Sequence, residues 1–480
     1  MTEFTEIGPN RLRRNSLGLI AVTFMVVSAA APLTGVAGAM PIAFLAGNGA
    51  GIPATFVFIT LVMLAFSVGY VAMSRHVANA GAFYAYAARG LGGGAGGAVS
   101  MIAIVAYNAM QVGLLGLLGG VASGVFGEMG IALPWWGWSL IAIALVAVLG
   151  YRQVDLSARV LIVLVALEYV IVLVVAIAIL LQGGAAGLSI PFFDWPTITS
   201  GSVTLAVLLV LGSFIGFEAT TIYSEEARDP ERTIPRATYL SVLMIGVFFV
   251  FVTWLMIAGA GVAELQSGIA ALPDPTFFFF ELAGRYVGGP VPTIAGVLLV
   301  SSLFAAVSAF HNYIARYSYV AGREGLLPAA FGRTHDQHQS PHVGSVMQTA
   351  TALIVVGVFA WLGLDPVLNL FTWVSQLGTL GVLAMMAITS LSIIAFFRSG
   401  QASASPLAAL ILPAVSGLIM AGLFVYIFLN FGDLTGTTGG SLGWILPSLI
   451  PLAGLVGYLM AWRLKTADPA AYARMGQNQG

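Results

Sequence analysis

Cysteine is missing from all 480 residues, and lysine occurs once, at Lys465. The first absence excludes a disulfide framework, a thiolate metal site and a cysteine nucleophile. Charge is scarce too: Asp, Glu, Lys and Arg make up 8% of the chain, against about 25% in soluble domains. A net charge of −1 singles out no partner, and nucleic acid is not expected. There is no G-x-S-x-G elbow, no phosphate loop and no His-rich motif within the apolar runs, which argues against an integral enzyme or an ATP-driven pump. Neither a metal nor a bound cofactor is expected, and no soluble segment of the kind a sensor needs stands beside the runs.

What is abundant is apolar sequence, at 59% of residues. Runs long enough to cross a hydrocarbon core of ~30 Å lie near 16–45, 52–73, 97–126, 134–150, 159–182, 201–223, 239–262, 290–320, 343–363, 366–397, 405–430 and 441–463. They are numbered below as spans 1 to 12, and the fold class expected is an all-α polytopic membrane protein. Arg11, Arg13 and Arg14 place the N-terminus in the cytoplasm by the positive-inside rule. Twelve alternating spans then leave Arg285 as the one basic residue outside, out of 18 Lys and Arg. Both termini are therefore expected in the cytoplasm. Short non-spanning helices are expected at 81–90 and 275–286, where aromatics flank an arginine.

Two spans carry internal breaks. Span 1 contains Ser28-Ala29-Ala30-Ala31-Pro32-Leu-Thr34-Gly35-Val-Ala-Gly38, and span 6 contains Gly212-Ser-Phe-Ile-Gly216-Phe217-Glu218. They lie five spans apart, as two halves of five helices would require. Interrupted segments at corresponding positions in two repeats point to a transport site. A half-helix start offers free N–H groups and a positive dipole end to an anion. Within the second break lies Glu218, a carboxylate at membrane depth, expensive and by default functional.

The segment Gly216-Phe-Glu218 followed by Glu225-Glu226-Ala-Arg228-Asp229-Pro230-Glu-Arg232-Thr-Ile-Pro235-Arg236 resembles the sixth-helix signature of amino acid–polyamine–organocation permeases. Arg316-x-x-Tyr319-x-x-Gly322-Arg323-Glu324-Gly325-Leu-Leu-Pro328 resembles the end of that family's eighth helix, and Ser157-Ala158-Arg159-Val160 the start of its fifth. The resemblance implies the LeuT-type fold, with spans 1–5 (residues 16–182) and 6–10 (201–397) as inverted repeats. Spans 11 and 12 (405–463) are then peripheral, with cytoplasmic tails at 1–15 and 464–480. It further implies a small-molecule site between spans 1, 3, 6, 8 and 10, alternating access, and an amino acid or related amine as substrate. The function expected is a secondary active transporter that imports this substrate across the cytoplasmic membrane with proton coupling, Na⁺ coupling being the other option for the driving ion. An exchanger or exporter on the same fold, and a membrane sensor without transport, are the alternatives. A 6+6 major-facilitator layout also has twelve spans, but its basic motif after span 2 is missing, since that span ends at Met73-Ser-Arg75-His76-Val77.

Residue roles follow. The backbone of Ser28, Ala29, Ala30, Ala31 and Pro32 is the candidate cradle for a substrate carboxylate. Phe214, Gly216, Phe217 and Glu218 form the opposite side, with Phe214 and Phe217 closing over the ligand and Glu218 as gate or amine contact. The alternative for Glu218 is a hydrogen bond that closes the helix break. Tyr107 and Asn108 bring polar groups into span 3, facing either the site or a neighbouring helix. Glu168 lies roughly 13 Å past Arg159 along span 5 at ~1.5 Å per residue. It falls where proton-coupled relatives carry a lysine, so the sign is reversed here. It is the candidate proton carrier, or a Na⁺ ligand with hydroxyls such as Ser308. Glu225, Glu226, Arg228, Arg232 and Arg236 form a candidate cytoplasmic latch. Trp373, Ser375 and Gln376 in span 10 are read as packing residues, His311 as a packing histidine, and His335, His338 and His342 as a solvated loop.

Overall fold

The computed structural model describes residues 17–77, 81–152, 154–224, 226–272, 275–434 and 440–477. Among them the chain is helical throughout, with a single isolated bridge between Leu17 and Ala227. Eleven of its helices are long and apolar enough to cross a membrane: Leu19–Ala46, Gly49–Ser74, Gly93–Glu128, Trp135–Arg152, Ile162–Gln182, Pro230–Ala260, Val291–Arg323, His342–Trp361, Pro366–Arg398, Leu407–Leu429 and Leu442–Ala467. The expected span 6 is split into Val203–Gly212 and Ala219–Ile222. Neither piece crosses a membrane alone, so among the described residues eleven candidate spans stand where twelve are expected.

The break in span 1 falls one residue before the proline. Proline disfavours the helical region for its predecessor and supplies no N–H. The first half-helix therefore ends at Ala30, Ala31 turns left-handed at φ 42°, and Pro32 starts the second half. The glycines that follow do not break the chain. Gly35–Ala39 is a π-helical stretch that continues into Met40–Ala46. Gly35 is instead a packing requirement, because a Cβ there would sit 2.4 Å from the Phe249 ring of span 7.

In span 6 the helix ends at Gly212 and the chain runs through turns to Glu218. Gly216 carries the reversal at φ 107°, a conformation open to glycine alone at little strain. Freed backbone at membrane depth is tolerated where protein buries it, and residues 213–222 are all buried.

The two short helices form as expected, over Phe83–Leu91 and Phe278–Tyr286. The first buries Phe83 to Ala88 against spans 3 and 10, so its aromatic face meets protein. Spans 3 and 8 are the longest helices, and their middles are buried on every side. Spans 1, 10 and 12 pack around them.

Candidate functional site

A cavity of about 80 Å³ opens where the two broken helices meet span 10. Its wall takes Ala30, Ala31 and Thr34 from span 1, Met110 and Leu114 from span 3, and Gly212, Ser213 and Ile215 from span 6. Phe310 closes it from span 8, and Phe371, Ser375, Gln376 and Thr379 close it from span 10. No ionisable side chain lines it. Ser213 Oγ and Gln376 Oε1 are buried there without a hydrogen-bond partner.

Glu218 is fully buried beside this cavity and not in its wall. Its Oε1 accepts from the Tyr107 hydroxyl at 2.6 Å, and its Oε2 from the Gly216 N–H at 2.9 Å. The carboxylate thus satisfies an N–H exposed by the reversal in its own helix and ties that reversal to span 3. Its main-chain carbonyl accepts from Tyr70 of span 2 at 3.0 Å, and Tyr70 also makes a short hydrogen bond to Thr221. The break-closing bond, expected as the alternative to a substrate contact, is present, and the bond to Tyr107 of span 3 accompanies it.

Glu168 plays the corresponding part at the first break. Its Oε2 accepts from the Leu33 N–H at 3.4 Å and from the Ser302 hydroxyl at 2.7 Å, and Thr34 in turn donates to Ser302 at 3.1 Å. Oε1 is buried with no partner. Leu33 is the second residue of the restarted half-helix, so Glu168 caps a helix start, where a carboxylate is favoured. No described cation pairs with either glutamate. The hydroxyl beside Glu168 is Ser302; Ser308, expected there, donates to the Phe304 carbonyl of its own helix at 2.8 Å.

Other expected site residues are placed differently. Ser28 turns its hydroxyl back to the Met25 carbonyl at 2.7 Å, while Ala30 and Ala31 reach the cavity. Ala29 is in the first half-helix. Phe214 packs against Phe56, and Phe217 against Phe66 and Tyr70. Their rings face span 2, so neither closes over the cavity. The aromatics that line it are Phe310 and Phe371. Asn108 donates to the Ile104 carbonyl of its own helix at 2.7 Å. Ser375 and Gln376, read as packing residues, are cavity residues. Helical spacing alone did not show which face of span 10 turns inward.

The expected latch is rearranged. Glu226 pairs with Arg316 of span 8, Oε1 lying 2.8 Å from Nε and 2.7 Å from Nη2, and both residues are buried. The Arg316 guanidinium also lies over the Tyr223 ring at 4.9 Å. Arg232 approaches Asp229 at 3.7 Å on the surface, and Arg236 is exposed. The Arg228 N–H donates to the Leu17 carbonyl at 2.7 Å. Glu225 lies outside the described residues. Among its described residues the signature contributes a buried ion pair to span 8, with exposed charge at Asp229, Arg232 and Arg236.

His311 is buried between Gln111 at 3.5 Å and Ser345 at 2.7 Å. His335 stacks on His338 and meets His342 edge-on, and all three meet the Tyr151 ring edge-on; no cluster of three or more His, Asp or Glu that could hold a metal ion occurs among the described residues.

Long apolar helices, two of them broken at a shared cavity, define a polytopic membrane protein of the LeuT architecture. A solved structure of a point mutant of the Eremococcus coleocola manganese transporter superposes with a TM-score of 0.57 over 93% of this chain and 95% of that one, at 14% identity. The match is to the fold alone. The amino acid permease family model matches residues 21–469, and the chain belongs to that family. Among similar proteins, the low-affinity putrescine importer PlaP of Escherichia coli (strain K12) is 28% identical over 47% of this chain and 50% of its own. The branched-chain amino acid permease BcaP of Lactococcus lactis subsp. cremoris (strain MG1363) is 28% identical over 40% and 37%. The lysine-specific permease LysP of the same strain is 29% identical over 33% and 31%. The chain spans half the length or less of these curated relatives.

Proposed function

We propose that this protein is a secondary active transporter that imports an amino acid or related amine across the cytoplasmic membrane by alternating access, driven by protons. The observation that carries the reading is the cavity, walled by spans 1, 3, 6, 8 and 10 at both helix breaks. In this reading residues 16–182 and 201–397 are the two repeats, 405–463 the outer pair, and both tails are cytoplasmic.

The cavity favours an uncharged amino acid over a polyamine. Putrescine and lysine are named in two relatives, but a cationic chain would enter this cavity without a carboxylate in its wall. Both buried glutamates are engaged outside it, and burying an unpaired charge is costly. BcaP, named for branched-chain amino acids, shares with this reading a substrate whose side chain is uncharged.

Glu168 is the proposed proton site. A buried carboxylate with one unpartnered oxygen and no described counter-ion is disfavoured in its charged form. A proton on it would weaken its hold on the Leu33 N–H at the restarted half-helix. Ser302 and Thr34 also give this spot the hydroxyls of a Na⁺ site, which makes sodium coupling the second reading. Uptake into proteoliposomes, with labelled amino acids and amines and with pH and Na⁺ gradients imposed separately, tests both. Accumulation driven by the pH gradient alone is expected. Accumulation that needs Na⁺ and ignores pH would replace the proton with sodium, and no accumulation of any amino acid or amine would end the transport reading.

A further inference from the structure

The polar side chains of the cavity are Thr34, Ser213, Ser375, Gln376 and Thr379. Thr34 donates to Ser302 and Thr379 to the Ser375 carbonyl at 3.2 Å, so both hydroxyl protons are spent within the protein. Ser213 Oγ, on the span 6 break, and Gln376 Oε1, on span 10, are buried with no partner. The rest of the wall is largely methyl, methylene and ring surface, including Ala30, Met110, Leu114, Ile215 and Phe310. Buried polar atoms in native proteins are nearly all satisfied, so an unpaired one in a cavity wall calls for a ligand group or a water.

From this we infer that Gln376, seconded by Ser213, is the specificity-determining residue, selecting a small uncharged amino acid whose side chain carries a hydroxyl or amide donor. This rests on the amino acid reading above. The narrow cavity of about 80 Å³ favours small side chains, and its uncharged wall disfavours ionised ones. An aliphatic side chain of the same size would leave the Gln376 oxygen dry and unpaired. Sites built to hydrogen-bond a substrate group discriminate strongly against the analogue lacking it, whereas purely apolar pockets discriminate weakly between isosteres. An aliphatic amino acid is therefore the competitor that this cavity rejects.

Threonine and valine are nearly isosteric and differ in that donor. The test is the ratio of their kcat/KM values for uptake by the full chain in proteoliposomes. The wild type is expected to prefer threonine by about tenfold or more. Gln376→Met, which conserves volume and removes the acceptor, should lower that ratio toward one, chiefly through the threonine KM. Ser213→Ala is a smaller change that reads the same ratio if the methionine variant fails to fold. A wild type that takes valine as well as threonine overturns the proposal. So does a Gln376→Met protein in which both substrates fall together, because the residue would then be holding the shared ammonium group. If neither these nor any other amino acid is bound, the amino acid reading itself fails, a result distinct from an unchanged ratio.

Discussion

Tyr107 of span 3 donates its hydroxyl to the Glu218 carboxylate at 2.6 Å, while the other oxygen of that carboxylate accepts the Gly216 N–H. One side chain therefore closes the break in span 6 and fastens it to a long, buried helix. Any rearrangement of the break has to exchange at least one of these two bonds.

Glu218→Gln keeps one acceptor oxygen and turns the other into a donor that faces either an N–H or a hydroxyl. A buried donor left unpaired costs about 1–3 kcal/mol. The variant is expected to reach the membrane but to lose at least about tenfold in uptake, since 1.4 kcal/mol is a factor of ten. Tyr107→Phe should lose less, and the double variant should fall short of the sum because the two residues share one bond. Normal uptake by a folded Glu218→Gln protein would remove this residue from the mechanism.

Glu168→Gln tests proton coupling through the pH dependence. If the wild-type carboxyl takes a proton during each cycle, uptake should rise as the external pH falls. The glutamine variant should lose accumulation against a gradient while keeping pH-independent exchange of labelled for unlabelled substrate. Retained pH-driven accumulation would place the proton elsewhere.

The Arg316–Glu226 pair gives a prediction in stability. Removing one partner of a buried pair typically costs about 3–5 kcal/mol, because the other charge stays buried. Glu226→Gln should lower the thermal midpoint in detergent well below that of a surface control such as Arg232→Gln. Because the chain contains no cysteine, a single cysteine at Ser213 can be probed with a thiol reagent without background. If the pair is a latch in the proposed orientation, its opening should raise the labelling rate from the cytoplasmic side, and an unchanged rate would argue against a latch.

Glycines 212 and 216 should differ sharply. Gly216 sits at φ 107°, where a side chain is strained by about 1–3 kcal/mol, so Gly216→Ala should lower both stability and uptake. Gly212 has open space around its would-be Cβ and ends a helix. Gly212→Ala should leave the fold stable, and its methyl group would shrink the cavity. Thermal midpoints for the two variants settle the comparison, and equal losses would contradict the assigned break.

Much of the site was legible in the chain. Pro32 marked the first break because proline disfavours a helical predecessor and supplies no N–H, and Gly216 marked the second because glycine takes such a φ at little strain. Glu168 and Glu218 stood out because carboxylates at membrane depth are rare. The choice of rings and hydroxyls was not legible. Phe214 and Phe217 are as apolar as Phe310 and Phe371, and nothing local distinguishes a ring packed on span 2 from one lining a cavity. Ser308 and Ser302 sit on the same helix, and its rotation alone puts Ser302 beside Glu168.

The sequence by itself determined the membrane class, the approximate spans and the two breaks, because these follow from apolar length and from backbone rules that act within a few residues. Tertiary structure alone decided which oxygen meets which N–H, that Glu226 pairs with Arg316, and that Gln376 faces the cavity. Those contacts join residues from 90 to 135 positions apart in the chain for the buried ion pair and for the Glu168 bonds. They depend on how whole helices are rotated and packed, which no short stretch of sequence encodes.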